Sequence, residues 1–119
     1  MLSFKRIFLA LSLPVAASSC SDFEEWKVMH SGSGIYAKIS LPVSKDAFAV
    51  CLSSDAREKC SRRRAIYYGY RSDGWDVRWL SANHLLILQT GGEVWKQPEA
   101  NKVTVKGRPV TITTRYFSQ

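Results

Sequence analysis

A single small antiparallel β-sandwich, or a partly open barrel of about seven strands, is the fold this sequence predicts. Three observations predict it. Apolar residues recur with period two after residue 34, the signature of half-buried strands. Turn-forming dipeptides stand between the alternating runs. No segment beyond residue 34 keeps the 3.6-residue period of an amphipathic helix.

The elements follow in order. Ile35, Ala37, Ile39 and Leu41 alternate with Tyr36, Lys38 and Ser40, and the run ends at the polar stretch from Pro42 to Asp46. Phe48, Val50 and Leu52 alternate with Ala49 and Cys51 and stop at Ser53 to Asp55. Residues 54–64 (SDAREKCSRRR) suit one short helical turn with Ser54 as its cap. Three hairpins are expected from turn chemistry. Asp73-Gly74 would pair Tyr70 with Val77 and Tyr68 with Trp79. Gly91-Gly92 would pair Leu88 with Trp95. Gly107-Arg108 would pair Val105 with Val110 and Val103 with Ile112. In the first, Tyr68, Tyr70, Val77 and Trp79 share the core face, which leaves Tyr67 and Trp75 as exposed aromatics. Leu85 to Leu88 is a continuous apolar run, as a doubly buried central strand shows.

The N-terminal residues read differently. Lys5 and Arg6 precede an apolar run, Ile7 to Leu13, which continues to the small residues Ala16, Ala17, Ser18 and Ser19. That order is the order of a secretory signal peptide. The run is shorter than the ~20 apolar residues that span a bilayer, and Pro14 interrupts it. Residues 1–19 are therefore expected to be a leader, residues 20–25 a short tether, and residues 26–119 one β-domain.

Ala17-Ser18-Ser19-Cys20 resembles the lipobox of bacterial lipoproteins. It departs from the common pattern at Ala17, where Leu is usual, and at Ser19, where Gly or Ala is commoner. The resemblance implies a diacylglyceryl group on the Cys20 thiol and acylation, typically palmitate, of the new N-terminus. General signal peptidase cleavage after Ser18 or Ser19 is the alternative, and it would give a soluble periplasmic or secreted protein. The chain has three cysteines, Cys20, Cys51 and Cys60. Exported proteins rarely leave a thiol free. With Cys20 taken by lipid, Cys51 and Cys60 are the remaining pair; without it, one thiol is left over. In Gram-negative lipoproteins Asp directly after the lipidated Cys favours inner-membrane retention. Here Ser21 holds that place and Asp22 follows, so the resemblance implies an outer-membrane lipoprotein facing the periplasm. The second half of the chain, a Trp-rich strand, an aliphatic strand, then VTVKG and VTIT, resembles small envelope lipoprotein domains, without naming a family.

Seventeen Lys and Arg face ten Asp and Glu. Loss of Lys5 and Arg6 with the leader leaves a surplus of five. Arg57, Lys59, Arg62, Arg63 and Arg64 crowd the segment from Cys51 to Arg64, opposed there only by Asp55 and Glu58. Guanidinium forks suit carboxylates and phosphates, so this segment is the candidate site for an anionic partner. Nucleic acid fits the charge but not an exported chain. Catalysis has no evident residues: His30-Ser31 lacks the spacing of a nucleophile elbow, His84 has no partner in sequence, and no acidic pair or phosphate-cradling loop occurs. Two His and no H-E-x-x-H or C-x-x-C motif argue against a metal or cofactor. The expectation is a non-enzymatic binding module. One form is an immunity or inhibitor lipoprotein against a periplasmic toxin or hydrolase. The other is a maintenance lipoprotein holding lipopolysaccharide or peptidoglycan through the basic loop.

Overall fold

A computed structural model describes residues 23–42 and 47–118. The expected leader, Cys20 and the lipobox lie outside the described residues. Nine strands are described: β1 Phe23–His30, β2 Tyr36–Pro42, β3 Phe48–Ser53, β4 Tyr67–Tyr70, β5 Gly74–Ser81, β6 His84–Thr90, β7 Glu93–Lys96, β8 Lys102–Val105 and β9 Arg108–Phe117. They form a five-stranded sheet in the order β1-β2-β3-β4-β7 and a four-stranded sheet in the order β5-β6-β9-β8. The fold is the expected β-sandwich, with more strands than expected. One is β1, which begins inside the segment read as a tether.

Alternation sets the packing. Ile35, Ala37, Ile39, Phe48, Val50 and Tyr67 from the first sheet meet Val77, Leu85, Ile87, Val110 and Ile112 from the second. Phe48 stacks on Tyr67 at 5.5 Å and on Trp75 at 4.7 Å, and Trp26 meets Trp75 edge-on at 5.3 Å. The rings form a spine through the core. At its end the Tyr67 hydroxyl donates to Gln89 Oε1 at 2.8 Å. Gln89 is fully buried, and its amide donates to the carbonyls of Gly91 at 2.9 Å and Glu93 at 3.0 Å. Gly69 must be glycine here: a Cβ would lie 2.3 Å from Gln89 Oε1 and 2.7 Å from Phe48.

Two expected hairpins do not form. The chain leaves the first sheet at Arg71, which adopts a left-handed φ of 58°, and enters the second at Gly74. Asp73 donates its N–H to Thr90 O. At Gly91 and Gly92, with φ of 70° and 76°, it crosses back. Asp73-Gly74 and Gly91-Gly92 therefore lie in crossovers between sheets. Both edges of β4 are already used, by β3 and β7, so β5 could not pair with it. Tyr68 lies opposite Ala49 and Lys96, and Trp79 lies opposite Leu85. The hairpin that β5 does form is with β6, through Ala82-Asn83.

The third hairpin forms, with its turn one residue earlier than expected and its pairing slipped by two. Lys106 and Gly107 have φ of 50° and 79°, and Val105 pairs with Arg108 and Val103 with Val110. An even shift keeps every side chain on its expected face. The sandwich is not wholly antiparallel either. β9 lies parallel to β6, with Ile112 opposite Leu85, because β7 and β8 supply the long connection that parallel neighbours need. β6 is central as expected, but Leu86 and Leu88 on its outer side are half-buried rather than buried.

Candidate functional site

The basic segment does not protrude. It folds back over the outer face of the five-stranded sheet. The Cys51–Cys60 disulfide, with Cα atoms 5.5 Å apart, pins it to β3. A closed loop of this size stabilises by roughly 2.5–3 kcal/mol in the chain-entropy picture. Beneath it Ala47, Ala49, Cys51, Cys60, Ala65 and Tyr68 form a second buried cluster. Lys38 and Ser40, polar by alternation, are buried there too.

Lys38 is the central fastening. Its ammonium donates to the carbonyl of Asp55 at 2.7 Å and to that of Glu58. A buried ammonium is tolerated only when its protons find acceptors, and the loop backbone supplies them. The one helical turn in residues 54–64 closes at the end of the segment and is capped by Ser61 rather than Ser54: Ser61 O accepts from Ala65 N–H at 2.9 Å and Ser61 Oγ from Arg64 N–H at 3.3 Å. At the start of the segment Ser53 Oγ accepts from Asp55 N–H at 2.9 Å, and Asp55 Oδ1 accepts from Arg57 N–H at 2.9 Å. The Arg57 N–H holds the Asp55 carboxyl below its ordinary range. Glu58 is likewise lowered, first by the Ser53 hydroxyl at 2.7 Å and then by Arg64.

The five basic residues are thus not equivalent. Arg57 pairs with Asp55 and Arg64 with Glu58. Lys59, Arg62 and Arg63 join no ion pair among the described residues and are exposed. Lys96 of β7 adds a cation at the same place, donating to the carbonyls of Arg62 at 3.3 Å and Arg63 at 3.2 Å.

A row of rings continues from the loop along β4 and β7. Arg62 lies 5.7 Å from the Tyr68 ring, Tyr68 5.5 Å from Trp95, Trp95 4.2 Å from Tyr70, and Arg71 5.2 Å from Tyr70. Trp95 is the extra residue at a bulge opposite Tyr68 and Gly69, and it is 53% exposed. Tyr67, expected to be exposed, is 1% exposed and in the core; burial pushes its phenol up to about 12. Trp75 is half-buried against Phe48. The reversal has one cause: β4 pairs with β3 and β7, not β5, so Tyr67 rather than Tyr68 faces the other sheet. Sequence reasoning missed Lys96, Trp95, Tyr70 and Arg71 as neighbours of the basic loop. Only the β4–β7 pairing brings them there, and no local pattern announces it.

Each histidine has a near neighbour across its sheet. The His30 ring stacks on Tyr36 at 4.7 Å. His84 Nε2 lies 2.8 Å from Thr113 Oγ1. Ser31 and Ser33 belong to the β1–β2 turn, where the Ser33 hydroxyl donates to Ala82 O at 2.9 Å. No family model, curated protein or solved structure matches the chain.

Proposed function

We propose that the chain is an exported, non-enzymatic binding module, anchored in the cell envelope by lipid on Cys20, whose basic loop docks on an acidic face of another envelope protein. An immunity or inhibitor lipoprotein that blocks a periplasmic toxin or hydrolase works in this way. The observation that carries the reading is the clamp on the loop. Disulfide, buried Lys38 and the Ser53–Glu58 bond fix the backbone that bears Lys59, Arg62 and Arg63. Cations on a fixed backbone lose little freedom on binding, and preorganisation raises affinity.

The ring row favours a protein over a sugar polymer. Tyr68 is buried and Tyr70 is half-buried with its ring stacked on Trp95, so Trp95 is the one exposed ring of the row, a small platform for a pyranose. Ring edges carry the positive side of the quadrupole and, with the arginines, suit carboxylates. Trp, Tyr and Arg are also the residues that dominate protein interfaces.

Two measurements test the reading. Cys20→Ser should move the protein from membrane to soluble fractions, because several acyl chains anchor stably and none leaves no anchor. Partner capture from solubilised envelopes should fall when Lys59, Arg62 and Arg63 are all replaced by Gln, which leaves the Arg64–Glu58 pair of the clamp intact. The association rate should drop about tenfold or more, and high salt should reproduce the loss in the wild type. Equal capture by a folded triple mutant at both salt concentrations would leave the loop with solvation as its only role.

A further inference from the structure

We infer that the end of the sandwich where β1 begins rests on the lipid surface, with Trp26, Tyr116 and Phe117 at headgroup depth. The inference rests on the reading of Cys20 as the lipidated residue. Two residues, Ser21 and Asp22, separate Cys20 from the first residue of β1. Three Cα–Cα steps reach at most about 11 Å. The headgroup layer on each side of a bilayer is itself roughly 5–7 Å thick. A domain tied so closely cannot stand clear of the membrane, so whatever lies at this end meets the headgroups.

What lies there suits them. The registers place Phe23 beside Pro42, Gly74 beside Thr90, and Thr90 beside Phe117. The starts of β1, β5 and β7 and the ends of β6 and β9 therefore share one end. Of the exposed large apolar residues, Trp26 at 54%, Phe117 at 53% and Tyr116 at 46% lie towards it. Trp26 is braced edge-on by Trp75, and the Tyr116 hydroxyl donates to Gly92 O at 2.7 Å. Both aromatic bodies are thus held outward on rigid strands. Trp and Tyr concentrate at membrane–water interfaces because they pair an apolar body with a polar tip.

Charge decides what kind of lipid contact this is. Glu25 and Asp73 at this end offset Lys27 and Arg71. Attraction to anionic headgroups is therefore not the driving term, and the contact is apolar and insensitive to salt. The basic loop leaves β3 at Ser53, the opposite end of that strand from Phe48. Seating the aromatic end on the bilayer turns the start of the loop away from it.

The test uses full-length protein, matured in cells, purified from membranes and reconstituted in phosphatidylcholine vesicles. Part of the lipid is brominated near the top of its acyl chains, which quenches nearby indoles. The mass of the N-terminal peptide is read on the same sample. Trp26→Phe is compared with Trp79→Phe, since Trp79 belongs to the far end, where its Nε1 donates to Met29 O. Quenching of the wild type should fall measurably in Trp26→Phe, Trp75 and Trp95 towards the same end supplying the remainder. It should persist in Trp79→Phe and in high salt. A folded Trp26→Phe protein quenched as fully as the wild type, or an unquenched wild type with its acyl mass present, overturns the seating and spares the anchor. Absence of acyl mass overturns the anchor and the seating with it. Acrylamide gives a check that needs no variant: vesicle insertion should shield the wild-type indoles, and unchanged accessibility counts against the seating.

Discussion

Replacing Gln89 with Leu tests what fixes the crossover from β6 to β7. Gln89 accepts from Tyr67 and donates to Gly91 O and Glu93 O, all at 2.8 to 3.0 Å and all around a side chain with no exposure. Leucine fills similar volume but leaves one hydroxyl and two carbonyls without their partner. Each buried unsatisfied group costs ~1–3 kcal/mol. Glu93 is exposed, so water can take over its carbonyl, and leucine regains ~1 kcal/mol or more of apolar burial. The net loss should be about 2–4 kcal/mol, a large share of a small domain's stability. Tyr67→Phe should cost about 1–2 kcal/mol, because it strands only Gln89 Oε1. The two changes must not add. In the Gln89→Leu background the Tyr67 hydroxyl has already lost its acceptor, so Tyr67→Phe should there be neutral or favourable. Urea unfolding of the four proteins, followed by near-UV circular dichroism, gives the coupling. A coupling near zero would show that the hydroxyl and amide do not act together, and the account of this crossover would have to be abandoned.

Removing the disulfide by Cys51→Ala with Cys60→Ala should cost roughly 2.5–3 kcal/mol. Hydrogen exchange should rise first in residues 54–65, and equal protection there with and without the bond would contradict the clamp. Acid should loosen the same segment. The Glu58 and Asp55 carboxyls are held below their ordinary values, so their contribution is complete above about pH 4.5 and is lost as pH falls through the lowered values. Exchange at Arg57 and Glu58 amides, measured down to pH 3, would miss this rise if the clasp is unimportant. Gly92→Ala should destabilise by at least about 2 kcal/mol, since its φ is +76° and a Cβ would stand 2.4 Å from the carbonyls of Tyr70 and Arg71. Gly107→Ala, with φ of +79° and open space, should cost only about 1 kcal/mol; equal melting of the two variants would refute the steric part.

The faces of most strands were legible in the sequence, and their partners were not. Ile35 to Leu41 and Phe48 to Leu52 alternate cleanly, and the residues marked as apolar-facing line the core. Cysteine parity pointed to Cys51 with Cys60. The failures came at Asp73-Gly74 and Gly91-Gly92, where a dipeptide that suits a hairpin serves a crossover. Face matching between Val77 and Ile87, and between Trp79 and Leu85, was present across Ala82-Asn83. That dipeptide carries no glycine to draw the eye. For the candidate site, the basic cluster could be read directly. Its burial of Lys38 and its junction with Lys96 and Trp95 depend on contacts across 17 to 34 positions, beyond the reach of any local pattern.

The parallel pairing of β6 and β9 also has a kinetic consequence. The middle of the four-stranded sheet is completed only by the last strand described, which slots between β6 and β8. Until it arrives, β5 and β6 form an isolated hairpin, and such hairpins are at best marginally stable in water. Contacts between positions so far apart in sequence also form slowly. A chain synthesised N-terminus first would thus keep this sheet incomplete until β9 has emerged. The topology delays folding by withholding the keystone strand, without any separate device to keep the chain open.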